Sequence, residues 1–152
     1  MAQPAHTADT YREAAGELVS LALDLHEQEQ YGPAHYIAGV AVECMLRAYR
    51  AKIDPHFVSR HVIESLASES KFYDCVRGGN VEEVSAAITT VKLRWSNDHR
   101  YRPARMIEQW LRERGLDGKV QPDERMKTSS RAIVNAAVLI VETGEKRWTV
   151  SP

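Results

Sequence analysis

Arg94, His99 and Tyr101 stand in an R-x4-H-x-Y spacing at the end of a helical pattern. Arginine is a permanent cation whose planar fork suits phosphate oxygens. Histidine is the side chain whose ordinary pKa lies nearest neutrality, so it can carry protons there. RNA supplies its own nucleophile, the 2′-hydroxyl. A metal-free phosphodiester cleavage then needs only a proton carrier, a role for His99, and a fixed cation for the developing charge, a role for Arg94. Five residues apart on one straight helix, the two side chains would diverge by about 140°. They converge only if the helix ends or kinks between them, or if two chains share the site, and Asn97-Asp98 reads as such an exit. The alternative is that Arg94 pairs with a surface acid and His99 is an exposed loop residue. Tyr101 is either an aromatic cap over the bundle end or a modifiable hydroxyl.

Glu43 is the next residue singled out, because it interrupts an otherwise apolar helix. An unpaired buried carboxylate costs several kcal/mol, so Glu43 calls for an arginine or tyrosine partner, or else contributes to a pocket between helices. His61 is a helix-start residue or a second polar group near a cleft. His26, His35 and His56 fall on expected solvent faces and show no metal spacing. No metal or cofactor is expected, and Gly78-Gly79 lacks the lysine and hydroxyl residue of a phosphate loop. Trp95 and Trp110 could stack bases, but their helical spacing makes them core residues.

These residues need elements to hold them, and the periodicity is helical nearly throughout. The spacing predicts helices over 10–29 (Thr10 as N-cap), 33–53, 59–68, 81–95, 104–114 and 123–145. Asn80 and Glu83 have the spacing of a capping box, and Gly144 reads as a stop signal. The helices over 33–53 and 123–145 are the most apolar and should be central. The expectation is an all-α bundle of five to six helices.

The 152 residues suit one domain, placed at 8–148. The overall charge of -1 gives no global reason for nucleic-acid binding, yet residues 94–114 carry six arginines against Asp98, Glu108 and Glu113, a local excess of +3. Such an excess is either a solvated face or a phosphate-facing patch. Cys44 and Cys75 make neither a disulfide framework nor a metal site, and Cys44 reads as a small core residue. No stretch approaches the roughly 20 apolar residues of a membrane span, and the first ten residues lack the pattern of a signal peptide. A cytoplasmic protein without membrane contact is expected.

Three tracts taken in order resemble the HEPN family of small helical-bundle proteins. The run Ala34-His35-Tyr36-Ile37-Ala38-Gly39-Val40-Ala41-Val42-Glu43-Cys44-Met45-Leu46-Arg47-Ala48 resembles that family's second helix. Arg60-His61-Val62-Ile63-Glu64-Ser65-Leu66 is similar to its short histidine-then-leucine helix. The tract from Arg94 to Tyr101 stands where the family carries R-x4-6-H. Residues 104–122, a helix and a loop, look like an insertion. The resemblance implies a metal-independent RNase of a toxin–antitoxin or phage-defence system. It would act as a homodimer whose cleft holds Arg94 and His99, with a nucleotidyltransferase antitoxin as partner and Tyr101 as the residue that partner modifies. Catalytic members usually carry a polar residue directly after the arginine, and here it is Trp95. Trp95 and Arg100-Tyr101 resemble HEPN-like proteins without nuclease activity, which implies the alternative: a non-catalytic dimeric module that binds a nucleotidyltransferase, a nucleotide or RNA.

Overall fold

The computed structural model describes residues 6–58, 62–77 and 80–149. Among them the chain is all-α, with seven α-helices, two short 3-10 turns and no strand. The helices are α1 (Ala8–Glu27), α2 (Tyr31–Ile53), α3 (Ile63–Glu69), the single-turn α4 (Phe72–Cys75), α5 (Val81–Arg94), α6 (Ala104–Glu113) and α7 (Arg125–Arg147). The 3-10 turns span Asn97–Tyr101 and Pro122–Glu124.

The centre is α2, packed against both α1 and α7, which also touch each other, with α5 against α7. Ala34, Ala38, Ala41, Val42, Met45 and Leu46 are fully buried along α2, and Ile133, Ala137 and Ile140 along α7. Small side chains on α2 let its neighbours come close. A Cβ on Gly39 would overlap the Trp95 ring, and one on Gly144 would collide with Met45. Gly144 is therefore a packing residue buried inside α7, and the helix runs on to Arg147. The expected stop at Gly144 is wrong because a glycine that makes room for a neighbour leaves the same sequence mark as one that ends a helix.

Other ends also differ from expectation. Thr7, not Thr10, caps α1: its hydroxyl accepts from the Thr10 backbone N–H at 3.1 Å. Asn80 makes no side-chain cap to α5 and instead donates to the Thr143 hydroxyl at 3.5 Å. The expected helix start at 59 lies outside the described residues, as does Gly78-Gly79; the described part of that helix begins at Ile63.

Two hydroxyls on α7 hold the helices around it. Ser130 hydrogen-bonds His26 of α1 at 2.8 Å, and Ser129 hydrogen-bonds His35 of α2 at 2.9 Å. His26 and His35 are thus not on solvent faces: His35 is wholly buried and His26 half-buried. His56 is exposed, as expected.

Candidate functional site: a buried Arg–Ser–His cluster and the turn beside it

The helix α5 ends at Arg94 because Trp95 and Ser96 are both extended, with φ −123° and −139°. Trp95 fixes this exit. Its ring lies against Gly39, and its Nε1–H donates to the Tyr36 carbonyl at 3.0 Å. The chain then turns into the 3-10 segment Asn97–Tyr101, started by a capping box. The Ser96 hydroxyl accepts from the Asp98 N–H at 3.2 Å, and His99 Nδ1 accepts from the Ser96 N–H at 3.4 Å.

This geometry brings Arg94 and His99 into one connected cluster. Arg94 donates to the Ser129 hydroxyl at 3.2 Å, and Ser129 is bonded to His35. Ser129 can accept from Arg94 and pass its own hydrogen to His35 Nε2. The His35 ring then lies 5.7 Å from the His99 ring, centroid to centroid. The straight-helix divergence is removed by the break at Trp95 rather than by a second chain.

The cluster is closed, however. Arg94 makes a bidentate ion pair with Asp117, at 2.6 and 2.9 Å, and both side chains are mostly buried, at 15% and 11% exposure. The acid comes from the loop after α6. Gly115 ends that helix with φ +73°, the Leu116 N–H returns to the Leu111 carbonyl at 3.1 Å, and Asp117 adopts the left-handed region at φ +56°. Aspartate tolerates that region better than most side chains, and here it turns the carboxylate back onto Arg94. The expectation of an acid partner for Arg94 holds, but the pair is half-buried rather than a surface one.

His99 is not an exposed loop residue. It is only 2% exposed, and Trp110 of α6 meets its ring edge-on at 4.6 Å. Burial, with Arg102 adding to it, lowers its pKa to about 4. Burial first, then the nearby His99 and Arg94, lowers His35 to about 3. Both rings are neutral at physiological pH. Because His99 Nδ1 accepts a hydrogen bond, its proton sits on Nε2, a buried donor with no partner; His35 Nδ1 is likewise unpartnered.

Tyr101 is 73% exposed and does not cap the bundle; the Arg100 guanidinium stacks 4.6 Å above its ring. A 3-10 turn has about three residues per turn, so burying His99 leaves the residue two places on to face outward. Glu43 is buried in α2 and pairs with Arg47 at 3.4 Å, one helical turn on, which fits the structural role expected for it. His61 lies outside the described residues. Cys44 is half-buried and packs against the core, with burial raising its thiol to about 11. Trp95 is buried as expected, whereas Trp110 is half-buried against His99. No group of three metal-ligating side chains occurs among the described residues, and no described helix is long and apolar enough to cross a membrane.

His35, Ser129, Asp117 and Trp110 are the members of the cluster that sequence reasoning missed. His35 shares a seven-residue spacing with the buried Val42 and Tyr49, and Ser129 stands four residues before the buried Ile133, so both were on a readable core stripe. Asp117 left no such mark, since it acts from a loop. No protein-family model, curated protein or solved structure matches this chain.

Proposed function

We propose that this chain is a non-catalytic HEPN-like binding module that engages RNA through the turn at Arg100 and Tyr101. The observation that carries this reading is the bidentate Asp117–Arg94 pair beside a buried, neutral His99. A guanidinium already satisfied by a carboxylate has little left for a phosphorane. An imidazole with a pKa near 4 holds too few protons at neutral pH to serve as acid, and a buried Nε2 cannot reach a solvent-borne substrate. Trp95 supports the same reading, because it takes a polar catalytic neighbour's place and serves as an anchor on α2. The exposed Arg100–Tyr101 stack offers a cation and an aromatic face together, the pair that unstacked bases favour.

The test is purified protein with single-stranded RNA in the presence of a chelator. The RNA should be retarded on a native gel and recovered uncut, and Tyr101→Ala should weaken retention. Cleavage by the wild-type protein that disappears in Arg94→Ala would overturn the reading.

A second reading, the homodimeric RNase with a nucleotidyltransferase antitoxin, is favoured by two observations. Arg94 and His99 meet in one cluster through Ser129 and His35, and the Tyr101 hydroxyl is open to a modifying enzyme. It requires Asp117 to release Arg94 when RNA or a second copy binds.

A further inference from the structure

Two mostly buried guanidinium groups of the bundle are answered by a single stretch of chain. Arg94 ends α5 and Arg125 opens α7. Asp117 pairs with the first at 2.6 and 2.9 Å, and Glu108 with the second at 2.8 Å. Both acids stand on residues 104–122, which leave the 3-10 turn after Pro103 and lead back to the bundle at α7. The stretch makes two further attachments. Arg114 donates to the Leu93 carbonyl at 2.9 Å, and Trp110 meets the His99 ring edge-on.

This stretch is held differently from the other helices. Its own buried apolar side chains, Ile107 and Leu111, stand outside the main core, which joins α1 through α5 and α7. Its charged contacts close instead over the polar cluster of Arg94, Ser129, His35 and His99. That closure is incompletely hydrogen-bonded. Four buried side-chain atoms among the described residues lack a partner, and three of them belong to this cluster or to the Glu108 pair: His35 Nδ1, His99 Nε2 and Arg125 Nε. Each is a donor that water would serve once the stretch lifted, so the closed state carries a cost that opening removes. Asp117 adds to it, because it reaches Arg94 from a left-handed backbone at φ +56° that release would relax. Both ends leave room for movement. Pro103 is extended, and beyond α6 a side chain added at Gly115 or Gly118 would touch nothing within 4 Å.

We propose that residues 104–122 are an autoinhibitory strap. Asp117 and Glu108 hold Arg94 and Arg125 in place of the backbone phosphates of single-stranded RNA, and RNA seated on Arg100 and Tyr101 competes the strap away. The turn that bears those two residues runs straight into the foot of the strap at Pro103, so a bound strand arrives beside it. Arginine offers phosphate the same fork that it offers a carboxylate, and a polyanion brings several phosphates against two acids. RNA as the competitor rests on the function proposed above; the releasable strap does not.

Amide hydrogen exchange and RNA titration of the full chain test it. In Asp117→Asn/Glu108→Gln the amides of α6 should exchange at least about tenfold faster, while those of α2 and α7 keep their protection. Saturation with an oligouridine of about 20 nucleotides should speed the same amides in the wild-type chain. The double variant should bind that strand about tenfold more tightly, with a salt slope steeper by about 1.4, as two added phosphate contacts on a single strand require. Adding Arg94→Gln and Arg125→Gln should remove the gain. Glu82→Gln/Glu83→Gln makes the same change in net charge at the exposed start of α5 and should alter neither readout. Thermal melts separate release from unfolding, and the wild-type measurement with RNA decides the matter where a variant does not fold. Unchanged α6 exchange in both settings overturns the strap and leaves the Tyr101 contact to its own gel shift. Faster exchange with RNA affinity no greater than in the Glu82/Glu83 control overturns the autoinhibition. No RNA bound by any form overturns the RNA reading and the autoinhibition with it. RNA cut by the double variant but not by the wild type supports the strap and overturns the non-catalytic reading.

Discussion

Arg94 and Arg100 are six residues apart on one short tract, yet their surroundings are opposite. Arg94 is held at both nitrogens by Asp117, touches Ser129 and is mostly buried. Arg100 is exposed, with an aromatic ring and a cavity mouth for neighbours. The same residue type therefore does two jobs. One guanidinium ties the 104–122 segment to the bundle; the other stays at the surface, stacked on Tyr101. A spacing motif cannot tell these apart, because it records the cation and not the acid that answers it.

The largest expected effect lies on the closed side. Asp117→Ala leaves a mostly buried guanidinium without its counter-ion and should cost about 3 kcal/mol in urea unfolding. The paired replacement Arg94→Met with Asp117→Leu should recover most of that, since both charges leave together. If Asp117→Ala cost less than about 0.5 kcal/mol, the pair would rank with ordinary surface ion pairs and the contrast with Arg100 would dissolve.

An intermediate effect comes from pH. The folded chain holds His35 near pKa 3 and His99 near 4, against an ordinary 6.5 in the unfolded chain. Below about pH 6.5 the unfolded state binds more protons than the folded one, so stability falls as pH drops toward those folded values. Above that point their contribution is complete and flat. Arg94 beside His35, and Arg102 and Arg114 beside His99, push the same way, and Asp98 opposes them without reversing the shift. The urea midpoint should drop between about pH 7.5 and about pH 6, by an amount worth on the order of 1–2 kcal/mol for the two rings together. A midpoint that does not move would mean that both rings protonate in place.

The smallest stability effect belongs to the open side. Tyr101→Ala and Arg100→Gln should change stability by no more than about 0.5 kcal/mol, as exposed substitutions do, and differential calorimetry can check it. A loss well above that would mean that the turn is part of the core after all.

Much of this architecture was legible beforehand. The apolar stripes of α2 and α7 marked the two central helices, and both are central. The helix over 104–114 was placed almost to the residue, as α6. It is better described by what it does than as an insertion, because it supplies Trp110 to His99, Asp117 to Arg94 through its loop, and Glu108 to the buried Arg125 at 2.8 Å. Five to six helices were expected and seven are present among the described residues, since a single turn such as α4 is too short to show a period. The site was read in part. Arg94 and His99 fall in one cluster, though a buried one, and His35 was put outside because a polar residue near a helix start looks solvated until its serine partner is known. Tyr101 was left between a packed cap and an open hydroxyl, because an aromatic beside a helix end can be either. The tight 3-10 turn set its direction instead.

Ser129 and Ser130 are neighbours on α7, so they point about 100° apart and each reaches a histidine on a different helix. Sliding α7 by a single residue would strand both imidazoles at once. Two modest hydroxyls thereby act as a vernier for the whole bundle, selecting one alignment among the many that a smooth, alanine-rich interface would otherwise tolerate.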